Sequence, residues 1–171
     1  MNKREQAICR LSRYVYHSNK RAGRNEIAGG YQDKNGNTII TDGTLAFVTN
    51  RDYTKLNGFK IASGLDSFPV RGLLEKVNDT RNLGKIAFIF GLKSCSTYYD
   101  KKLELEVMKV GNFYYNEKLL EMLLNCFSVA TLYEYRSKEC PFLVLQDEYK
   151  SLGILCPLRL GELANERIKR N

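Results

Sequence analysis

Lys3, Arg10, Arg13, His17, Lys20, Arg21 and Arg24 fall within the first 24 residues, mostly at intervals of three, four and seven. Those intervals gather side chains on one side of a helix. Ammonium and guanidinium groups arrayed in this way offer many hydrogen-bond donors and a continuous positive field, which suits a run of phosphate oxygens. The segment holds seven Lys and Arg against the single acid Glu5, a local balance of +6 in a chain whose net charge is +8. No carboxylate interrupts the array, so its field is not cancelled locally. The plain alternative is a solvated helix face. His17, the only histidine, lies in this basic run and reads as a surface residue rather than a catalytic base.

An array of this kind needs a rigid element beneath it. At ~100° per residue, Ile8, Leu11 and Val15 share one face of a helix expected over 4–20, while Arg10, Arg13, His17, Lys20 and Arg21 project from the other. One face packs and the other forms a basic stripe. A second group of residues is held by strands. Asp42-Gly43 joins two apolar strands, Thr38–Thr41 and Leu45–Val48, and Asn35-Gly36 joins the strand before them. Both dipeptides suggest tight type I′ turns, with positive φ at both central residues, in a three-stranded meander over 26–50.

The Thr41-Asp42-Gly43-Thr44-Leu45-Ala46 stretch resembles the bacterial DNA sliding clamp family, the β subunit of the replicative polymerase. There an Ala/Val-Thr-Asp-Gly sequence followed shortly by Leu-Ala sits at such a strand junction. Ser151 to Leu160, closing on Cys156-Pro157-Leu158-Arg159-Leu160, resembles the family's terminal strand. Phe68 to Val77 looks like its Pro-initiated helix, and Asn112 to Leu120 like the start of its later helix. The resemblance implies an α+β fold of the DNA-clamp (processivity-fold) type, with helices packed on antiparallel sheets. It also implies a non-enzymatic role in which basic helices touch duplex DNA without reading its sequence, in replication or as an accessory of a mobile element. On the same resemblance, Lys3, Arg10, Arg13, His17, Lys20, Arg21 and Arg24 are the expected DNA contacts. Thr41, Gly43, Thr44 and Leu45, with Pro157, Leu158, Arg159 and Leu160, correspond to a pocket that receives a hydrophobic peptide from polymerases and other replication proteins. One residue, Thr44, stands between Gly43 and Leu45 where the family has two, often including an Arg. An adaptor or regulator that keeps the clamp fold without encircling DNA is the alternative.

The remaining elements are placed coarsely. Helices are expected over 69–78 and 119–127, the second capped by Asn116, and strands over 58–62, 85–91, 94–99, 103–110, 130–136, 141–146 and 151–157. Residues 1–110 then approximate one clamp-like domain lacking its first strand, 111–160 a further half domain, and 161–171 a basic C-terminal tail. The alternative is one domain over 1–160 decorated by 52–100. Neither arrangement closes a ring alone, so the resemblance implies a homo-oligomer.

Other classes find little support. The chain contains no phosphate-binding Gly-x-x-x-x-Gly-Lys-Ser/Thr loop, no Gly-x-Ser-x-Gly elbow and no His-Glu-x-x-His. Asp42, Asp52, Asp66 and Asp79 stand singly at turns, where Asp is expected for backbone reasons. No cofactor and no metal site is expected. Five scattered cysteines form no Cys-x-x-Cys pair and suit small buried hydrophobes. No apolar run approaches the ~20 residues of a membrane span, and the charged start lacks an apolar signal core, which points to a cytoplasmic protein with no membrane partner.

Overall fold

The computed structural model describes residues 1–62, 83–85, 95–137 and 141–159. The expected helix over 69–78, nearly all of the strand over 85–91, Leu160 and the tail over 161–171 lie outside the described residues. Among the described residues the fold is α+β: two helices and antiparallel sheets.

Helix α1 spans Lys3–Arg21. It begins at Asn2, whose side chain accepts from Glu5 N while Glu5 Oε2 accepts from Asn2 N at 2.8 Å, a reciprocal capping box. It ends in a Schellman arrangement, with Arg24 N on Asn19 O, Gly23 N on Lys20 O and Gly23 at φ +74. Its inner face buries Ile8, Leu11 and Val15 completely. Four polar residues anchor the same helix. Arg4 donates to Asp147 Oδ2 at 3.2 Å and Ser151 Oγ at 2.7 Å, Ser12 Oγ accepts from Lys60 N, Ser18 Oγ donates to Asp42 Oδ2, and Asn19 Nδ2 donates to the Ile27 and Thr41 carbonyls. Packing alone would leave a helix free to rotate or slide slightly, and these directional bonds fix its register on the sheet.

The larger sheet has seven strands in the order β1-β2-β3-β10-β9-β8-β4, with β1 Gly30–Gln32, β2 Thr38–Thr41, β3 Leu45–Thr49, β4 Leu83–Lys85, β8 Thr131–Tyr135, β9 Phe142–Gln146 and β10 Leu152–Leu155. The smaller sheet is β5-β6-β7, formed by Thr97–Asp100, Leu105–Val110 and Phe113–Asn116. All named ladders are antiparallel. Strand β10 pairs β3 on one side and β9 on the other. Residues 30–49 and 131–155 therefore share one sheet, and a boundary at 110 would run between β6 and β7, which pair Val110 with Phe113.

Alternation along the strands sorts the core. Ile40, Leu45, Phe47, Leu143, Leu145 and Leu155 face the helices in the main cluster, with Ile8 and Leu11 of α1, Met108 and Tyr115 of the small sheet, and Leu120 and Leu123 of helix α2, Glu117–Leu124. Ile39, Ala46, Val48, Phe142, Val144 and Ile154 take the other face and are buried as well. Helix α2 starts at the expected cap, Asn116, whose Oδ1 accepts from Leu119 N at 3.2 Å.

Two turn assignments from the sequence are corrected. The β2–β3 register pairs Thr41 with Ala46, and Asp42 N donates to Leu45 O, so the central residues are Gly43 and Thr44 rather than Asp42 and Gly43. Only Gly43, at φ +89, takes the left-handed conformation. Positive φ at the first central residue alone is the II′ pattern, and the Asp42 carboxylate closes the turn by accepting from Thr44 N and Leu45 N. At the other turn, Gly36 N donates to Asp33 O, Gly36 has φ +82, and Asp33 Oδ1 accepts from Asn35 N and Asn37 N. That is a three-residue loop ending in a left-handed glycine. In each turn, side-chain capping by Asp replaces a second positive φ.

Candidate nucleic-acid interface

The capping box and the Schellman motif close the two ends of the 19-residue helix α1, and the anchors described above decide which side it shows. Lys3, Arg10, Arg13, His17, Lys20 and Arg21 are all exposed on that side, and Arg24 is exposed just beyond the helix. The six helical positions fall within an arc of about 100°. Arg4, by contrast, is turned inward onto Asp147, whose side chain is 1% exposed, and contributes nothing to the outer field. Gln6 is the other exposed residue on the arc. The basic stripe expected from the spacing is thus one geometric surface.

Several contacts shape it. Arg13 Nε donates to the Cys9 carbonyl at 3.3 Å. Lys20 Nζ lies 5.7 Å and Lys60 Nζ 5.6 Å from the centroid of the Tyr16 ring, within cation–π range, and His17 meets that ring edge-on. Lys60 is the basic residue that the sequence reading missed. It stands outside the charged run, and its segment is brought to the helix by the Lys60 N to Ser12 Oγ bond of 3.1 Å, the Cys9 thiol's contact with Asn57 O and the packing of Tyr53 and Phe59.

Helix α2 lies beside α1. A groove of about 510 Å³ runs between them, with Ala7 and Met122 among Lys3, Gln6, Arg10, Lys118, Glu121 and Asn125. The groove is of mixed charge, as the acids of α2 suggested. Burial holds Glu117 above the usual carboxylate range, with repulsion from Glu121 and Glu106 adding to the effect.

The second set of expected site residues is only partly brought together. Cys156 N donates to Thr44 O at 2.9 Å, so the 41–45 turn and the end of β10 do meet. Their side chains diverge from there. Leu45 is 2% exposed in the main core, whereas Leu158 packs with Val107 and Tyr114 on the small sheet, where Leu158 N donates to Tyr114 O. Thr41 is buried, its Oγ1 donating to Leu45 O at 2.7 Å. Gly43 and Thr44 are exposed, Pro157 is half-buried and Arg159 is exposed. Nη1 of the exposed Arg24 side chain lies 3.2 Å from where a Gly43 side chain would begin. Leu45 thus serves the core, and Arg24 borders the turn.

Burial also sets the behaviour of the interior thiols and phenols. Desolvation pushes the Cys126 thiol up to about 12, partly opposed by Arg4. Tyr115, fully buried, is likewise raised by desolvation and by Glu134. Below pH ~9 these groups are protonated in both folded and unfolded chains, and the fold keeps its full stability. Above it the unfolded chain ionises first, and stability falls as pH rises from ~9 towards 12. For Cys126 the gap is worth about 4 kcal/mol. Denaturant midpoints at pH 8 and pH 11 are expected to differ clearly, with Cys126→Ala recovering part of the loss. A flat profile would contradict the burial.

Comparison with protein-family models, curated proteins and solved structures finds no match for this chain. The class stated by the structure itself is an α+β protein with a basic helical face. Among the described residues no helix is long and apolar enough to cross a membrane.

Proposed function

We propose that this chain is a non-enzymatic, sliding-clamp-like, DNA-associated protein that holds duplex phosphates through α1 without reading sequence. The observation that carries the reading is the exposed arc of Lys3, Arg10, Arg13, His17, Lys20 and Arg21, uninterrupted by any acid and fixed in place by the buried anchors of the same helix. Phosphate contacts position a protein on DNA and carry no sequence information, so a rigid stripe of cations is sufficient for the task. In this reading the chain assembles with copies of itself, serves replication or a mobile element in the cytoplasm, and needs no cofactor. Polymerase or other replication proteins meet it near Thr44, Pro157 and Leu158.

The test is the solution mass together with duplex binding measured against salt. The expected result is an oligomer whose log–log salt slope is about −3 to −5, as contact with four or five phosphates gives. A monomer with no duplex affinity at low salt would sink the reading. A second reading, an adaptor or regulator that keeps the fold without encircling DNA, draws on the mixed-charge groove between α1 and α2 and on the burial of Leu45 in the core. It predicts a monomer that does not respond to DNA.

A further inference from the structure

We infer that Lys60 and Lys20, each within cation–π range of the Tyr16 ring, form a seat for the phosphate backbone of duplex DNA. The inference rests on the duplex contact proposed above and adds to it a residue from outside the helix. Lys60 lies on the segment that follows β3 and is far from the basic run in sequence. Its backbone is held from two directions: Lys60 N donates to Ser12 Oγ at 3.1 Å, and Lys60 O accepts from Gly30 N at 2.8 Å. The side chain is therefore delivered to α1 by a fixed backbone.

The ring quadrupole offsets only a small part of either ammonium's charge, so both remain open to an anion. A carboxylate would be the ordinary partner. Among the described residues Arg4 pairs with Asp147, Lys55 with Asp52 and Arg136 with Glu134, whereas no carboxylate is paired with Lys20 or Lys60. Both residues are exposed, at the Tyr16 ring that His17 of the stripe also meets. The phosphates of a duplex backbone supply acceptors to both, and a diester phosphate keeps its charge at every working pH. The Tyr16 ring sets where the two ammoniums stand, so it positions the seat.

The test uses the full chain and a sequence-neutral duplex of about 20 base pairs, with affinity followed against salt. Lys60→Gln is expected to reduce the salt slope by about 1 and to weaken binding about eightfold at 0.1 M salt. Lys60→Arg keeps the wild-type slope. Tyr16→Phe keeps wild-type affinity, whereas Tyr16→Leu loses about threefold while retaining both charges. Lys101→Gln, an exposed cation on the β5–β6 turn, is expected to leave the slope unchanged. A wild-type slope in Lys60→Gln, in a protein that binds duplex and weakens on reversal of Arg10 and Arg13, overturns the seat and leaves the proposed function standing. An equal slope loss in Lys101→Gln overturns it too, because the effect is then one of net charge. Absence of duplex binding by the wild-type chain removes both.

Discussion

Reversing Arg10, Arg13 and Lys20 to Glu in one variant is expected to lower duplex affinity by about three orders of magnitude at 0.1 M salt, with the fold intact. Each phosphate contact with a slope of about 0.9 is worth roughly eightfold at that salt, and three together give about 500-fold before the new repulsion is counted. The stability cost is small because all three side chains are exposed. Losing the Arg13 bond to the Cys9 carbonyl and the Lys20 contact with Tyr16, and placing an acid in the last turn of α1, each cost about 0.5 to 1 kcal/mol. Fluorescence anisotropy across a salt series reads the affinity, and circular dichroism checks the helix. Unchanged affinity with an intact helix would move the contact away from α1.

Gly29→Ala is expected to cost about 3 kcal/mol, a large effect for a single methyl group. Gly29 has φ +113, a conformation that suits glycine, and an added side chain would run into the Lys60 carbonyl. That carbonyl cannot retreat without releasing Gly30 N, and Ala62 N is bound to Gly30 O at 2.9 Å on the same junction. For a chain of this size the midpoint of thermal unfolding should fall by about 6 to 12 °C. Gly58→Ala is the control: its φ is +89, but nothing lies within 4 Å of the added atom. It should cost about 1 kcal/mol, for strain alone. Equal losses in the two variants would show that the close approach of the two backbones does not matter.

Helix α1 was legible because two independent signals agree. The period of Ile8, Leu11 and Val15 marks its buried face, and the basic residues mark the other; the expected 4–20 became Lys3–Arg21. Asn116 was equally readable as a cap. The polar anchors were not. Arg4 looks like one more cation of the basic run, and only the fold reveals that Asp147 and Ser151, from the far end of the sequence, turn it inward. Ser12, Ser18 and Asn19 are silent in the same way, since polar residues on a helix read as surface until their partners are known. The Asp-Gly and Asn-Gly signals placed their turns to within a residue but not their types, because the Asp42 and Asp33 side chains accept from turn backbone N–H groups and only one residue in each turn takes positive φ. Phe113–Asn116 was read as the approach to a helix and forms a strand of the small sheet instead. Leu45 carries the wider lesson. A short motif indicates a strand junction well, but whether its leucine lines a pocket or fills a core depends on which face of the strand meets the helices, and both helices lie tens of positions away in the chain.

Strand β10 sits in the middle of the seven-stranded order, yet it is the last of the described strands in the chain. Ser151 and Thr49, joined by a hydroxyl contact where β10 meets β3, are 102 residues apart. A ribosome adding ~5–20 residues per second would leave β3 waiting on the order of 5 to 20 s for its neighbour. Throughout that interval β3, already paired with β2, would present one open edge of a strand whose residues are buried on both faces in the finished protein, an edge prone to pairing with another chain. Among the described strands the sheet is closed from its centre by the one translated last, so joining its two halves is a late, long-range event during synthesis, and the basic helix depends on it through Asp147 and Ser151.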